Sequence, residues 1–112
     1  MRGDRDRLQD ILEAIDRIEQ YTAGGRATFD QNELVQTWVI YHIQLIGEAV
    51  HGLSTQLTAE HPQVPWSGII GMRNILIHTY FRINRDAVWR VVEHDIPALK
   101  QQIVSVLATL KQ

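Results

Sequence analysis

The sequence has 112 residues, 45% apolar and 21% charged, with a formal net charge of −2 and no cysteine. These figures fit one globular domain over residues 1–112. They exclude a disulfide framework, a cysteine-based zinc site and the holding of nucleic acid by bulk charge alone. Met1 to Asp10 is charged and lacks an apolar stretch, so no signal peptide is expected. No apolar run approaches the roughly 20 residues of a membrane span, and a cytoplasmic location is the expectation. Charge is unevenly placed: residues 1–60 carry five basic and ten acidic side chains, residues 61–112 six and three.

Asp4 to about Tyr21 reads as the first helix. Leu8, Ile11, Leu12, Ile15 and Ile18 form one apolar stripe at helical spacing, and Gly24-Gly25 follow as stop signals. Phe29-Asp30 opens the second helix, with Asp30 as N-cap and Glu33 three residues on, a capping-box-like pair. That helix runs to about Leu53 and carries two stripes. Val35, Val39, Ile46, Ala49, Val50 and Leu53 form one; Leu34, Trp38, Tyr41 and Leu45 form the other. A surface helix needs a single stripe. The second therefore implies either a central position in the bundle or a face kept for another subunit, and the subunit reading is preferred in so small a core.

Thr55 to Pro65 reads as a loop with one helical turn at Thr58–His61. Pro65 stands at the first position of a third helix, Trp66 to His78. Gly68 and Gly71 inside it each cost about 1 kcal/mol relative to alanine and suggest a close backbone approach. Asn84 caps a fourth helix, Arg85 to about Asp95, and Pro97 either kinks it or starts another. Leu99, Ile103, Val106, Leu107 and Leu110 continue the stripe. No strand-like alternation is visible. The expected fold is all-α, an antiparallel bundle of four to five helices.

The chemistry concentrates in Arg73, Asn74, His78 and Tyr80. In a continuous helix, residues four apart lie about 40° apart in projection, so Asn74 and His78 share a face. Arg73 reaches it from the flank, and Tyr80 folds back from the helix end. Histidine can exchange a proton near neutral pH, and arginine offers a planar fork to a phosphate. The set suits phosphodiester chemistry without a metal. A purely structural reading, His78 capping the helix and Arg73 in a salt bridge, fits the composition too. Glu48 and His51 form a single Glu-x-x-His, which lacks the second pair a di-iron bundle needs. His42, expected half-buried, and His61 and His94 show no ligand spacing.

The pattern Arg73-Asn74-x-x-x-His78-x-Tyr80 resembles the R-x4-H-x-Y signature of HEPN domains, and most closely the HepT-like toxins. Its flanks resemble that family as well: Ile46-Gly47-Glu48-Ala49, Val64-Pro65-Trp66, Ile69-Ile70-Gly71-Met72, Val88-Trp89 and Asp95-Ile96-Pro97-Ala98-Leu99. The likeness covers about Leu8 to Ile103. It implies a metal-independent endoribonuclease that needs no cofactor and acts as a homodimer, with one motif from each subunit lining a shared cleft. His78 would activate the ribose 2′-hydroxyl, Arg73 would hold the scissile phosphate, and Asn74 would orient them. The resemblance also implies the toxin role in a type VII-like toxin–antitoxin module. Its MNT-type nucleotidyltransferase antitoxin would silence the toxin by AMPylation of Tyr80. Arg82 and Arg85, with Trp66 and Arg90, are candidate RNA contacts, and solvated or core positions are the plain alternative for each. A non-catalytic HEPN adaptor of a nucleotidyltransferase is the alternative function.

Overall fold

The computed structural model describes residues 3–72, 77–79 and 82–110, with backbone alone for 77–79 and 82. Among these described residues seven α-helices follow in order: α1 (Asp4–Thr22), α2 (Arg26–Asp30), α3 (Glu33–His51), α4 (Thr55–Glu60), α5 (Trp66–Gly71), α6 (Arg85–Arg90) and α7 (Ile96–Thr109). A five-residue π-helical segment, Val91–Asp95, joins α6 to α7. The fold is the expected all-α bundle, with one short hairpin that the sequence did not suggest. Strands β1 (Ile77–Thr79) and β2 (Arg82–Ile83) pair antiparallel between α5 and α6, with Ile77 opposite Ile83.

Helix α1 buries the stripe its spacing predicts: Leu8, Ile11, Ile15 and Ile18 are fully inaccessible. Gly25 follows at φ 89°, a left-handed conformation that glycine adopts without a Cβ penalty. The stripe packs on α3, its closest neighbour in the fold, and also on α7. From α3 come Val39, Ile43, Ile46 and Val50; from α7 come Ile96, Leu99, Ile103 and Val106. Phe29, Leu57, Val64, Ile69 and Val88 join the same contiguous cluster.

Several boundaries differ from expectation for local reasons. Asp30 does not cap the long helix; it ends α2. The cap is Asn32, whose side-chain oxygen accepts from the Val35 N–H at 3.1 Å. Buried Gln36 then donates from Nε2 to the carbonyls of Phe29 (2.9 Å) and Asp30 (3.1 Å), which stitches the end of α2 to α3. The expected single turn at Thr58–His61 is a longer helix starting at Thr55, because Ser54 caps it by accepting from the Leu57 N–H. The Ser54 hydroxyl in turn donates to Asp4 at 2.6 Å and ties this turn to the start of α1. Asn84 caps α6 as expected, accepting from the Ala87 N–H.

Pro97 stands in the first turn of α7 with Asp95 at the N-cap position, as the second alternative expects, but the rod is not interrupted there. Asp95 and Ile96 keep right-handed helical dihedrals, and the Ile96 N–H bonds to the Val91 carbonyl, five residues back. Proline has no N–H for the carbonyl four residues before it, and its ring presses on that carbonyl. A widened turn just ahead of the ring accommodates both, so the rod continues to Thr109.

Helix α5 is the main correction. It ends at Gly71, not at His78, and residues 77–79 are extended. Two glycines weaken the short helix. The run Ile75 to Phe81 is rich in β-branched and aromatic residues that favour strands. Pairing of β1 with β2 gives that preference a partner. Where α5 crosses α3, Gly47 leaves the room: a Cβ there would stand 3.8 Å from the Ile70 carbonyl oxygen.

Two stability outcomes follow. Replacing buried Ile15 by alanine should cost about 2–5 kcal/mol in urea unfolding, while Val104→Ala, at a half-exposed position, should cost under about 0.5 kcal/mol. At position 47 an alanine methyl meets Ile70 at ordinary contact distance, so Gly47→Ala should unfold close to the parent, whereas Gly47→Leu should displace α5 and lower the melting temperature.

Candidate functional site

Arg73, Asn74 and Tyr80 lie outside the described residues. His78 is placed through its backbone in β1 and Arg82 through its backbone in β2. The expectation that Asn74 and His78 share one helix face therefore does not hold in this structure, since His78 belongs to an extended segment. What remains is a placement: the motif occupies the connection that leaves α5 at Gly71 and returns through β1 and β2 to Asn84. Its entrance lies against α3, where Gly47 admits Ile70.

Arg85 stands exposed on the first turn of α6, but its Nη1 donates to the Asp30 carbonyl at 3.1 Å. Beside it, Arg26 bonds the Asp86 carboxylate and, at 3.3 Å, that of Asp30. The Arg26 hydrogen bond holds Asp86 below the usual carboxylate range, and Asp86 raises the already high pKa of Arg26. This exposed network fastens α2 to the start of α6. It engages Arg85 in packing and so weakens the case for Arg85 as an RNA contact. Trp66 is half-buried, and its indole N–H donates to the His61 carbonyl at 2.9 Å, which fits the core alternative for that residue. Arg90 remains exposed.

The second stripe of α3 is open to solvent. Leu34 is 83% exposed, Tyr41 46% and Trp38 42%. Trp38 and Tyr41 stack with centroids 5.2 Å apart and planes 18° from parallel. His42 meets Trp38 edge-on at 4.9 Å and Tyr41 at 5.3 Å, and Tyr21 of α1 closes the cluster edge-on to Trp38 at 6.0 Å. His42 is buried more deeply than the half-burial expected from sequence. Its Nδ1 lies 2.8 Å from the Trp38 carbonyl, which can only accept, so the proton resides on Nδ1. A groove of 530 Å³ runs along this face, with Arg7, Asp10, Glu13 and Arg17 of α1 opposite Trp38, Tyr41, His42, Leu45 and Glu48 of α3. Sequence spacing marked the stripe, but not the charged wall that α1 sets against it.

Glu48 belongs also to a second cavity, of 330 Å³, lined by Gly47, His51 and Ile70. The open face of α3 therefore leads from the aromatic cluster to the entrance of the motif segment. Among the described residues no three His, Asp or Glu side chains gather as a metal site, and no helix is long and apolar enough to cross a membrane.

The family described as ribonuclease HepT-like matches residues 11–106. A Thermococcus cleftensis protein named "Probable ribonuclease HepT" is 36% identical over 88% of this chain and 91% of its own length. A Methanocaldococcus jannaschii protein named as a candidate RNase is 34% identical over 86% of this chain and 89% of its own. A second protein of that archaeon, named as a gamma-glutamylcyclotransferase and candidate RNase, is 36% identical over 92% of this chain, which spans only 47% of that protein. No solved structure matches at a significant level. The match over nearly the whole bundle, with the motif segment inside it, means that the chain belongs to the HepT-like ribonuclease family.

Proposed function

We propose that this protein is a metal-independent endoribonuclease that works as a homodimer, and that it is the toxin of a toxin–antitoxin pair. The observation that carries the reading is the Arg73-x4-His78-x-Tyr80 set within a HepT-like ribonuclease match over residues 11–106. In this reading His78 takes the proton of a ribose 2′-hydroxyl, whose oxygen attacks the adjacent phosphorus. Arg73 binds the phosphate and offsets the charge that develops on its oxygens. The chain breaks at the 5′-oxygen, leaving a 2′,3′-cyclic phosphate. Asn74 orients the two groups.

The homodimer forms through the outer face of α3. Its stripe of Leu34, Trp38 and Tyr41 has no cover in one chain, and the same face leads to the motif segment. An uncovered aromatic patch beside a wall of mixed charge favours a second copy of the chain, which can meet both the apolar stripe and the paired charges. The partner nucleotidyltransferase silences the enzyme by AMP transfer. The Tyr80 oxygen attacks the α-phosphate of ATP and pyrophosphate leaves, adding negative charge and bulk to a cleft that must admit an RNA phosphate.

Cleavage of a fluorescent RNA by the purified protein should persist in EDTA. It should fall about 10²–10⁴-fold in His78→Ala and about 10²–10³-fold in Arg73→Ala with unchanged circular dichroism. Parental cleavage by both variants would reject the catalytic assignment, and a parent that cleaves no RNA yet still binds the transferase would leave the adaptor reading. Trp38→Glu should convert a dimer to a monomer in light scattering and abolish cleavage; a variant that stays dimeric places the interface elsewhere. Incubation with the cognate transferase and ATP should add 329 Da per AMP to the parent and none to Tyr80→Phe.

A further inference from the structure

The aromatic cluster of α3 holds one titratable ring to which the ribonuclease reading gives no role. His42 is buried among Trp38, Tyr41 and Tyr21, the last with its ring centroid 6.2 Å away. Its Nδ1 proton is committed to the Trp38 carbonyl, which leaves Nε2 as the atom that gains or loses a proton. Among the described residues Nε2 has no hydrogen-bond partner, and no unpartnered side-chain nitrogen is fully shut off from water. Nε2 therefore reaches water, and His42 lines the 530 Å³ groove between α1 and α3.

We infer that His42 makes the association of two copies pH-dependent: the dimer holds the ring neutral, and protonation below neutral pH separates the chains. This rests on the homodimer reading above, in which the second copy covers the stripe and the groove. Covering a neutral Nε2 takes one weak acceptor out of water. Covering a protonated one buries a cation and its N–H against an apolar stripe of Leu34, Trp38 and Tyr41, which costs far more.

The charged groups on the groove walls do not reverse that sign. Arg7, Asp10, Glu13 and Arg17 come from α1, and Glu48 from α3. The two arginines oppose a positive ring, and the three acids favour one. All but half-buried Arg7 are exposed, where water screens them. A phenol is uncharged at neutral and acid pH, so Tyr21 and Tyr41 add no charge. His42 is the buried member of the set, and its desolvation decides. Association therefore releases protons once the pH falls into the range where a histidine titrates. Each chain brings one His42, so below that range association weakens by up to about tenfold per chain for each unit of pH.

Sedimentation equilibrium of the full chain at fixed ionic strength from pH 8 to 5.5 tests this, with circular dichroism following the fold. The parent dimer should weaken at least about tenfold over that range. His42→Gln and His42→Phe should lose the dependence, and His51→Gln should keep it. Should both His42 variants fail to fold, calorimetric dilution of the parent at pH 6 in buffers of differing ionisation enthalpy reads the same linkage, and dissociation should take up protons. A parent dimer that holds constant or tightens in acid, His42 variants with the parental slope, or dissociation without proton uptake would overturn the inference and leave the homodimer standing. A parent that is monomeric at pH 8 would overturn both.

Discussion

The packing of α3 on α1 is the constraint from which the rest of the structure follows. One side of α3 buries Val39, Ile43 and Ile46 against Leu8, Ile11 and Ile15, all of them essentially inaccessible to water. With that side committed, the residues that follow it around the helix fall outside. Leu34, Trp38, Tyr41, Leu45 and Glu48 recur at steps of three and four and therefore form a second continuous face. The first gives the chain its core, and the second stands open to solvent.

Gly47 lies between those two faces. Helix α5 crosses α3 there, and a side chain no larger than a methyl fits between them at ordinary contact distance. The functional consequence is contiguity. The aromatic cluster around Trp38, the Glu48–His51 cavity and the exit of α5 follow one another along a single helix.

Polarised charge complements this layout. The acidic half of the chain forms α1 to α4 and borders the proposed protein interface, whereas the basic half carries the motif and α6. Not all of that basic charge is available to RNA. Arg85 bonds the Asp30 carbonyl, and Arg26 bridges Asp30 and Asp86, so part of the polar surface near α6 is spent on holding α2 in place. The net charge of −2 does not by itself oppose RNA cleavage, because basic side chains outnumber acidic ones in residues 61–112.

The readable part of the sequence was that governed by neighbours along the chain. Helix existence, the stripe of α1, the exposed second stripe of α3 and the Asn84 cap each depend on side chains within one or two turns. The family likeness was legible because the segments that carry it are contiguous. Features resting on distant partners were not. Asn32 caps α3 in place of Asp30 because Gln36 binds the carbonyls of Phe29 and Asp30 and draws α2 to a close. The helix continues through Pro97 because a π turn absorbs the missing donor. His42 is buried because Tyr21 arrives from α1. The stop of α5 at Gly71 is the clearest case. Asn74 and His78 satisfy a helical pattern locally, but Ile75 to Phe81 suits a strand equally well, and the competition is decided by the pairing of Ile77 with Ile83. The sequence by itself determined a helical bundle of the HepT-like ribonuclease family. Tertiary contacts decided where the helix before that motif ends and which face of α3 leads to it, because only packing weighs one local preference against another.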